Sequence, residues 1–558
     1  MGTVIPRQRA LKCGASCATV AVLVLSCVSN IGVGNASIKL SSASKAGANI
    51  LVNPQVSKTL WIKTMDPGAM TDVSSQAVGS LIYNGLVKQV YSDRTKKFSI
   101  VPDLAAGMPT VSKGGRVYTF KVRKDALFSD GTPVTAQDVV YSINRALSPV
   151  EKSPVASFYL ADILGSGDVA AGKAKTCSGL KASGRDTVVI TLDKPVAYFL
   201  YAFTYPTAWV LKQNVAPGAA LTTNPALVVG AGPFMLKGGA WRYRSQITLA
   251  PNPHFYNAKN IKLTEVDIPF IGTANTAFTA YKSGQYPIAG VPAAEVASYR
   301  SKPEFHQAPT LGDLWYAMNP KIAPFDNIHV RRAIAFAVNR DAIVNGVEHG
   351  TQIRLDGWYP SGIMGFDPAI GRRVPHYDPA MAKKEVALAM KTMKSIPAIQ
   401  LEFPSETEDW ARDAAQVQRD LKAVGITMTL KPTPGATWAG DVNNRKTPFI
   451  LNNWFDDYPD PQDFSEVIIG TGGVTNAGNY SNPRVDALFA RADMEHDTAT
   501  REKLYKQAQD IIMNDAAVVM LYQFANQVVW STKIHGMELN PSGFYPVAND
   551  WANVTVSP

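Results

Sequence analysis

The sequence predicts an α/β protein of more than one domain, and three observations carry that prediction. First, 558 residues exceed what a single hydrophobic core supports. Second, residues 399–403, 410–424 and 426–430 read as strand, helix and strand, with Gly425 stopping the helix. Such a succession implies a parallel sheet by right-handed crossover. Third, strand-like and helix-like segments alternate on both sides of a long middle insertion, which fits two α/β lobes.

Composition narrows the class. With 46% hydrophobic and 18% charged residues the chain is an ordinary globular one. The formal charge is +10, and Arg7, Arg9 and Lys12 contribute three of those charges from the extreme N-terminus. The longest basic cluster, Arg94-Thr95-Lys96-Lys97, is too short for a nucleic-acid footprint, so no nucleic-acid partner is expected.

Residues 1–36 have the layout of an export signal: basic residues, then an apolar core from Ala18 to Val28 that is too short to span a bilayer. Two exits are readable. Val24-Leu25-Ser26-Cys27 resembles a lipoprotein cleavage box, with Cys27 the lipidated residue, although Leu25 is bulky for that position. Gly34-Asn35-Ala36 offers ordinary cleavage after Ala36. The protein is therefore expected outside the cytoplasm, lipid-anchored in the first case and periplasmic in the second. Cys13, Cys17 and Cys27 lie in this segment, which leaves Cys177 as a packing residue with no disulfide partner.

The following segments read in order. Residues 37–49 are small and polar, a spacer. Structure begins near Ile50-Leu51-Val52, and a helix with Val78, Leu81, Ile82 and Leu86 inward starts between Thr71 and Ser75. Residues 117–122 alternate as a half-buried strand, Asp130-Gly131 is a turn, and Thr135 begins a helix in the pattern Thr-x-x-Asp. Val330 to Arg340 is amphipathic, with Arg331 and Arg332 either solvated or in an interdomain contact. Asp378 with Pro379 opens a helix, residues 501–514 form another, and residues 518–522 a strand. No internal repeat is present.

Several of these stretches resemble the family 5 extracellular solute-binding proteins of ABC importers, the oligopeptide- and dipeptide-binding group. The landmarks are Pro102-Asp103-Leu104-Ala105, Thr187 to Pro195, Gly230-Ala231-Gly232-Pro233-Phe234, Asn252-Pro253-His254-Phe255-Tyr256, Ala323-Pro324-Phe325-Asp326 leading to Val330-Arg331-Arg332-Ala333, and Asn479 to Pro483. Their order over the span from about residue 50 onward is what makes the resemblance specific. It implies a two-lobed, type II periplasmic-binding-protein-like fold with a hinge and an extra subdomain on the first lobe. On that model lobe I uses residues 38–83, 207–313 and 519–558, the subdomain 84–206, and lobe II 314–518. It also implies a monomer that binds peptides between the lobes and delivers them to a permease and its ATPase.

The stretch that draws most attention is Leu451-Asn452-Asn453-Trp454-Phe455-Asp456-Asp457-Tyr458-Pro459-Asp460-Pro461-Gln462-Asp463. Aromatic faces interleaved with carboxylates at a strand end suit an organic cation; an acidic surface turn is the plainer reading. In peptide-binding relatives a Trp-x-x-Asp-Tyr segment here supplies the carboxylate that grips a peptide α-amino group. The resemblance therefore assigns Asp457 that role, with Asp456 its competitor and Trp454, Phe455, Asn453 and Tyr458 as neighbours. Trp438, Trp315 and Tyr316 match aromatic pocket or hinge positions. Some relatives carry an arginine three residues before the tryptophan, paired with a short peptide's C-terminus; Leu451 stands there instead, and Arg445 is the nearest substitute.

Catalytic patterns are missing. There is no His-Glu-x-x-His, Gly-x-Ser-x-Gly or phosphate loop; Ser42 to Lys45 falls in the spacer, and Met235 breaks the dinucleotide pattern after Gly230 and Gly232. The seven histidines are scattered, and the Asp456–Asp463 group lacks calcium-loop spacing. No enzyme activity, metal or cofactor is expected. Within the same fold an oligosaccharide, an opine or a metal complex is the alternative ligand, and a secreted hydrolase or a receptor without transport the alternative class.

Overall fold

Two large sheets organise the chain. The computed structural model describes residues 49–56, 61–92, 94–542 and 550–557. The segment expected from the sequence to be an export signal, with Cys27 and Ala36, lies outside the described residues. In the first sheet Ile50–Val52 runs parallel to Glu265–Ile271, followed by antiparallel Gln246–Pro251 and Phe234–Arg242; Gln55–Val56 extends the parallel edge. Helix Val73–Ile82 packs nearby, begun by Asp72, whose carboxylate accepts from Ser75 N at 3.0 Å. The Gly-Ala-Gly-Pro run lies against the end of this helix. A Cβ at Gly230 would stand 2.0 Å from Ile82 O, so that approach requires glycine.

The second sheet has seven strands. Ile288–Gly290, Val518–Trp530, Phe305–Met318, Phe449–Phe455, Ile399–Pro404 and Met428–Thr433 follow one another in space, and Ile353–Arg354 pairs with Val518–Trp530. Ile399–Pro404 and Met428–Thr433 are parallel, with helix Glu408–Ala423 as the crossover that the sequence pattern required. The two long antiparallel strands, Phe305–Met318 and Val518–Trp530, join the lobes. Val528 and Trp530 belong to the core that holds Leu51, Ile82 and Phe234, whereas Leu314, Tyr316, Val519 and Leu521 belong to a second core. Their pairing shifts register between Pro309 and Asp313.

Val518–Trp530 extends well past the expected residue 522, because its polar positions bond across the sheet and its surroundings. Gln523 Nε2, for example, donates to Thr310 O at 2.7 Å and to Ser361 O at 3.0 Å. Arg331 is buried and Arg332 half-buried. Their guanidinium groups donate to Asp515 O and Asn514 O, the exposed carbonyl end of helix Thr498–Asn514.

The subdomain has a four-stranded antiparallel sheet in the order Thr110–Ser112, Val117–Lys121, Thr187–Thr191, Leu180–Ser183. Helix Ala136–Leu147 packs on it, opened by the reciprocal Thr135–Asp138 capping box. Phe120, Val139, Ile143, Val188 and Ile190 are fully buried there, each contributing about 1.5–3 kcal/mol by leaving water. Cys177 is buried in the same core, and burial pushes its thiol up to about 12, so it is a packing group and not a nucleophile.

Candidate functional site

A cavity of about 590 Å3 opens among the lobes and the subdomain. One wall is the ribbon formed by Val87–Ser92 and Lys97–Pro102, which contributes Lys88, Gln89, Val90 and Tyr91. Another is the turn with Tyr205 and Trp209; Gln76 and Tyr83 come from helix Val73–Ile82 and its cap, Phe255 and Tyr256 from the Asn-Pro-His-Phe-Tyr landmark. Asp457 enters from the second lobe. The walls combine aromatic faces with three carboxylates, Asp103, Asp457 and Asp550, and Lys88 is the only Lys, Arg or His lining the cavity among the described residues. Such a surface holds an organic cation well.

The aim of Asp457 is set by its own loop. Strand Phe449–Phe455 ends where Asp456 N donates to Leu311 O at 2.8 Å. The chain then turns into the short helix Pro461–Phe464, capped by Asp460, whose Oδ1 accepts from Gln462 N at 2.9 Å. Asp460 is itself gripped by Arg501 through two bonds of 2.6 and 2.7 Å, with both side chains buried. Asp463 Oδ2 accepts from Trp454 Nε1 at 3.0 Å and from Asp457 N at 2.9 Å, which closes the loop on itself.

The Asp457 carboxylate accepts a hydrogen bond from the phenol of Tyr159 in the subdomain. Among the described residues no Lys, Arg or His forms an ion pair with it. Burial pushes its carboxyl up to about 6, and the Tyr159 bond acts in the opposite direction. Asp456 and Asp463 beside it are held well above the usual carboxylate range, chiefly by burial. Asp103, the landmark acid, is also raised by burial although Asn84 Nδ2 and Tyr256 Oη donate to it at 2.6 and 2.8 Å. Arg123 stacks over the outer face of Tyr256 at 3.8 Å.

Of the nine residues singled out in the sequence, Asp457 alone lines this cavity. Asp456 is buried behind it and accepts from Ser542 Oγ at 2.9 Å. Trp454 spends its indole N–H on Asp463 and packs against a core of the second lobe. Phe455 is exposed and stacks on Phe524, ring centroids 4.8 Å apart. Asn453, half-buried, pairs with Leu314 in the sheet. Tyr458 is buried with the subdomain core, its hydroxyl on Gln462. Trp438 donates to Leu451 O at 2.9 Å. Trp315 and Tyr316 are buried on opposite faces of strand Phe305–Met318, against Trp358 and Phe449 respectively. Leu451 is fully buried, and Arg445 ends helix Gly435–Asn444 with φ 55° and does not line the cavity.

Tyr159, Tyr205, Lys88 and Gln89 were not signalled by the sequence; each reaches the site through contacts remote along the chain. No cluster of three metal-ligating side chains occurs among the described residues. No described helix is long and apolar enough to cross a membrane.

Two α/β lobes joined by long strands, an added subdomain and a cavity walled by all three define a type II solute-binding protein. The family model "Bacterial extracellular solute-binding proteins, family 5 Middle" matches residues 99–476, and the chain belongs to that family. It is 26% identical over 537 residues to the oligopeptide-binding protein OppA of Bacillus subtilis (strain 168), covering 93% of this chain and 95% of that one. It is 27% identical over 456 residues to the dipeptide-binding protein DppE of the same organism, covering 80% and 82%. The structure of the Escherichia coli murein tripeptide binding protein MppA matches with a TM-score of 0.73 at 24% identity, covering 91% of this chain and 99% of that one.

Proposed function

We propose that this chain is the substrate-binding component of an ABC importer and holds a short peptide by its α-ammonium group. The observation that carries the reading is the Asp457 carboxylate, facing an aromatic cavity with no cationic side chain paired to it among the described residues. A half-buried carboxylate whose pKa is raised by partial desolvation is held charged at some cost, and an ammonium group offsets that cost through a charge-assisted bond. A ligand that touches both lobes binds the closed arrangement better than an open one, and so favours closure. The names of the relatives, which bind oligopeptides, dipeptides and a murein tripeptide, agree with a peptide ligand.

The rest of the reading follows from this one. The protein acts as a monomeric receptor without catalysis and hands its ligand to a permease and ATPase. It is exported and either lipidated at Cys27 or released after Ala36. Lobe limits at residues 38–83, 207–313 and 519–558 for the first lobe, 84–206 for the subdomain and 314–518 for the second are part of the same proposal; the register shift between Pro309 and Asp313 supports a hinge near the 313/314 limit.

The test is mass spectrometry of small molecules that co-purify with the protein, followed by calorimetry with di- to pentapeptides bearing free or acetylated N-termini. Free peptides are expected to bind and acetylated ones to bind far more weakly. Equal binding of both forms overturns the amine grip and favours a neutral ligand such as an oligosaccharide; turnover of the bound peptide overturns the receptor reading.

A further inference from the structure

The second lobe and the subdomain also meet away from the cavity. Beyond strand Thr187–Thr191 of the subdomain, Ala197 N donates to Asp493 O at 2.7 Å, in the last turn of helix Pro483–Met494. That helix packs on the second sheet, where its Phe489 and Ala492 share a core with Trp315 and Ile450. Tyr458, from the same side, is buried with the subdomain core. None of Ala197, Tyr198, Glu466 and Asp493 lines the cavity.

Asp493 is an unusual group to bury in such a seam. It is 1% exposed, and neither of its carboxyl oxygens accepts a hydrogen bond from a described donor. Its place in the last turn of a helix also sets a negative charge against the helix dipole. Burial first, then the neighbouring carboxyl of Glu466, hold Asp493 well above the usual carboxylate range, while Lys194 and Arg501 act the other way. From the subdomain, Tyr198 lies within reach of both acids, but its hydroxyl donates to Asp162 Oδ2 at 2.8 Å. Asp162, near Asp193 and Lys194, is itself raised by burial. From the second lobe Tyr359 and Tyr505 complete the surroundings, and Arg501 is engaged by Asp460. Opening the lobes draws Ala197 and Tyr198 off Asp493 and returns its carboxyl to water, where the ordinary value of about 4 applies. The closed arrangement therefore holds this proton more tightly than the open one.

We propose that Glu466 and Asp493 form a proton-operated clasp between the subdomain and the second lobe: a proton held by the pair keeps the seam closed, and its loss to solvent lets the lobes part. Acid then favours the closed form and alkali the open one. The contribution to closure is fully present below about pH 4 and is lost as pH rises through the higher value that Asp493 has in the seam. The inference rests on the closure proposed for this receptor and not on the amine grip of Asp457.

The test is small-angle X-ray scattering of the whole protein, dialysed free of small molecules, at about pH 5 and about pH 8.5. Ligand is left out because an ammonium group needs Asp457 ionised, which turns the pH dependence the other way. The radius of gyration is expected to be larger at the higher pH, with the open-to-closed ratio rising by up to about tenfold per pH unit. Asp493→Asn, uncharged at both pH values, should stay compact at both. Glu466→Gln, which removes the second carboxyl, should show a smaller change. Asp457→Asn should keep a pH response, since its side chain is in the cavity and not against Asp493. If pH leaves the natural protein unchanged while a bound peptide still compacts it, or if Asp493→Asn and Glu466→Gln expand as the natural protein does, there is no clasp. Loss of the response in Asp457→Asn and not in Asp493→Asn assigns the proton to the cavity and overturns the proposal. If neither pH nor peptide alters the dimensions, closure itself fails first, and this inference with it.

Discussion

The phenolic O–H of Tyr159 donates to Oδ2 of Asp457 across 298 positions of chain. Tyr159 in turn stacks on Tyr205, ring centroids 3.8 Å apart, and Tyr205 is part of the cavity wall. The carboxylate is thus steadied from two sides: its own loop fixes the backbone through Asp463, and the subdomain fixes the side chain through a neutral donor. A neutral donor satisfies one oxygen without cancelling the charge that an ammonium would need.

Asp457→Asn keeps the shape of the site and removes the charge. Its affinity for free-amine peptides is expected to fall by about 2 kcal/mol or more, roughly thirtyfold. Affinity for N-acetylated peptides should change little, and calorimetry on both series checks the contrast.

Proton binding gives a second expectation. Burial pushes the Asp457 carboxyl up to about 6, and Tyr159 draws it back. An ammonium needs the ionised form, so affinity for free-amine peptides should rise with pH through that value and level off above it, losing at most about tenfold per pH unit below it. Tyr159→Phe removes the interaction that favours ionisation, so the midpoint should move to higher pH. A midpoint unchanged in Tyr159→Phe would reduce Tyr159 to a packing residue.

The buried pair of Arg501 and Asp460 supports the loop that presents Asp457. Arg501→Met leaves a buried carboxylate without its partner and is expected to cost about 3–5 kcal/mol of stability, read from denaturant unfolding. Adding Asp460→Asn should recover part of that loss, because the two changes remove one shared interaction.

Asp413 supplies a stability test away from the cavity. Burial first, then the neighbouring charge of Glu348, push its carboxyl up to about 8, although Tyr522 Oη donates to it at 2.9 Å. The native state therefore holds this proton more tightly than the unfolded chain does. The contribution is fully present below the ordinary carboxylate range, near pH 4, and is lost as pH rises toward about 8. Unfolding in urea near pH 6 and pH 9 should show lower stability at the higher pH, on the order of 2 kcal/mol, with a smaller decline in Asp413→Asn.

What could be read in the sequence was local. Thr135 and Asp138 are three residues apart and cap one another, and the strand–helix–strand run to Met428–Thr433 needs only its own periodicity. The added subdomain and the role expected of Asp457 came from ordered landmarks resembling a family. The walls opposite Asp457 were not legible, because Tyr159, Tyr205 and Lys88 come to it through long-range packing that leaves no pattern around them. Trp315 and Tyr316 show the same limit from the other side. Adjacent on a strand, they must point to opposite faces, and with a core on each face both became packing groups.

The ribbon of Val87–Ser92 and Lys97–Pro102 pairs with neither large sheet, yet it supplies six residues to the cavity wall. Val87 and Ile100 of the ribbon pack on the subdomain core and Phe98 on a core of the second lobe, whereas Lys88, Gln89 and Val90 are half-buried at the cavity. Exchanges at those half-buried positions can therefore reshape the cavity wall while leaving the strands that join the two lobes untouched.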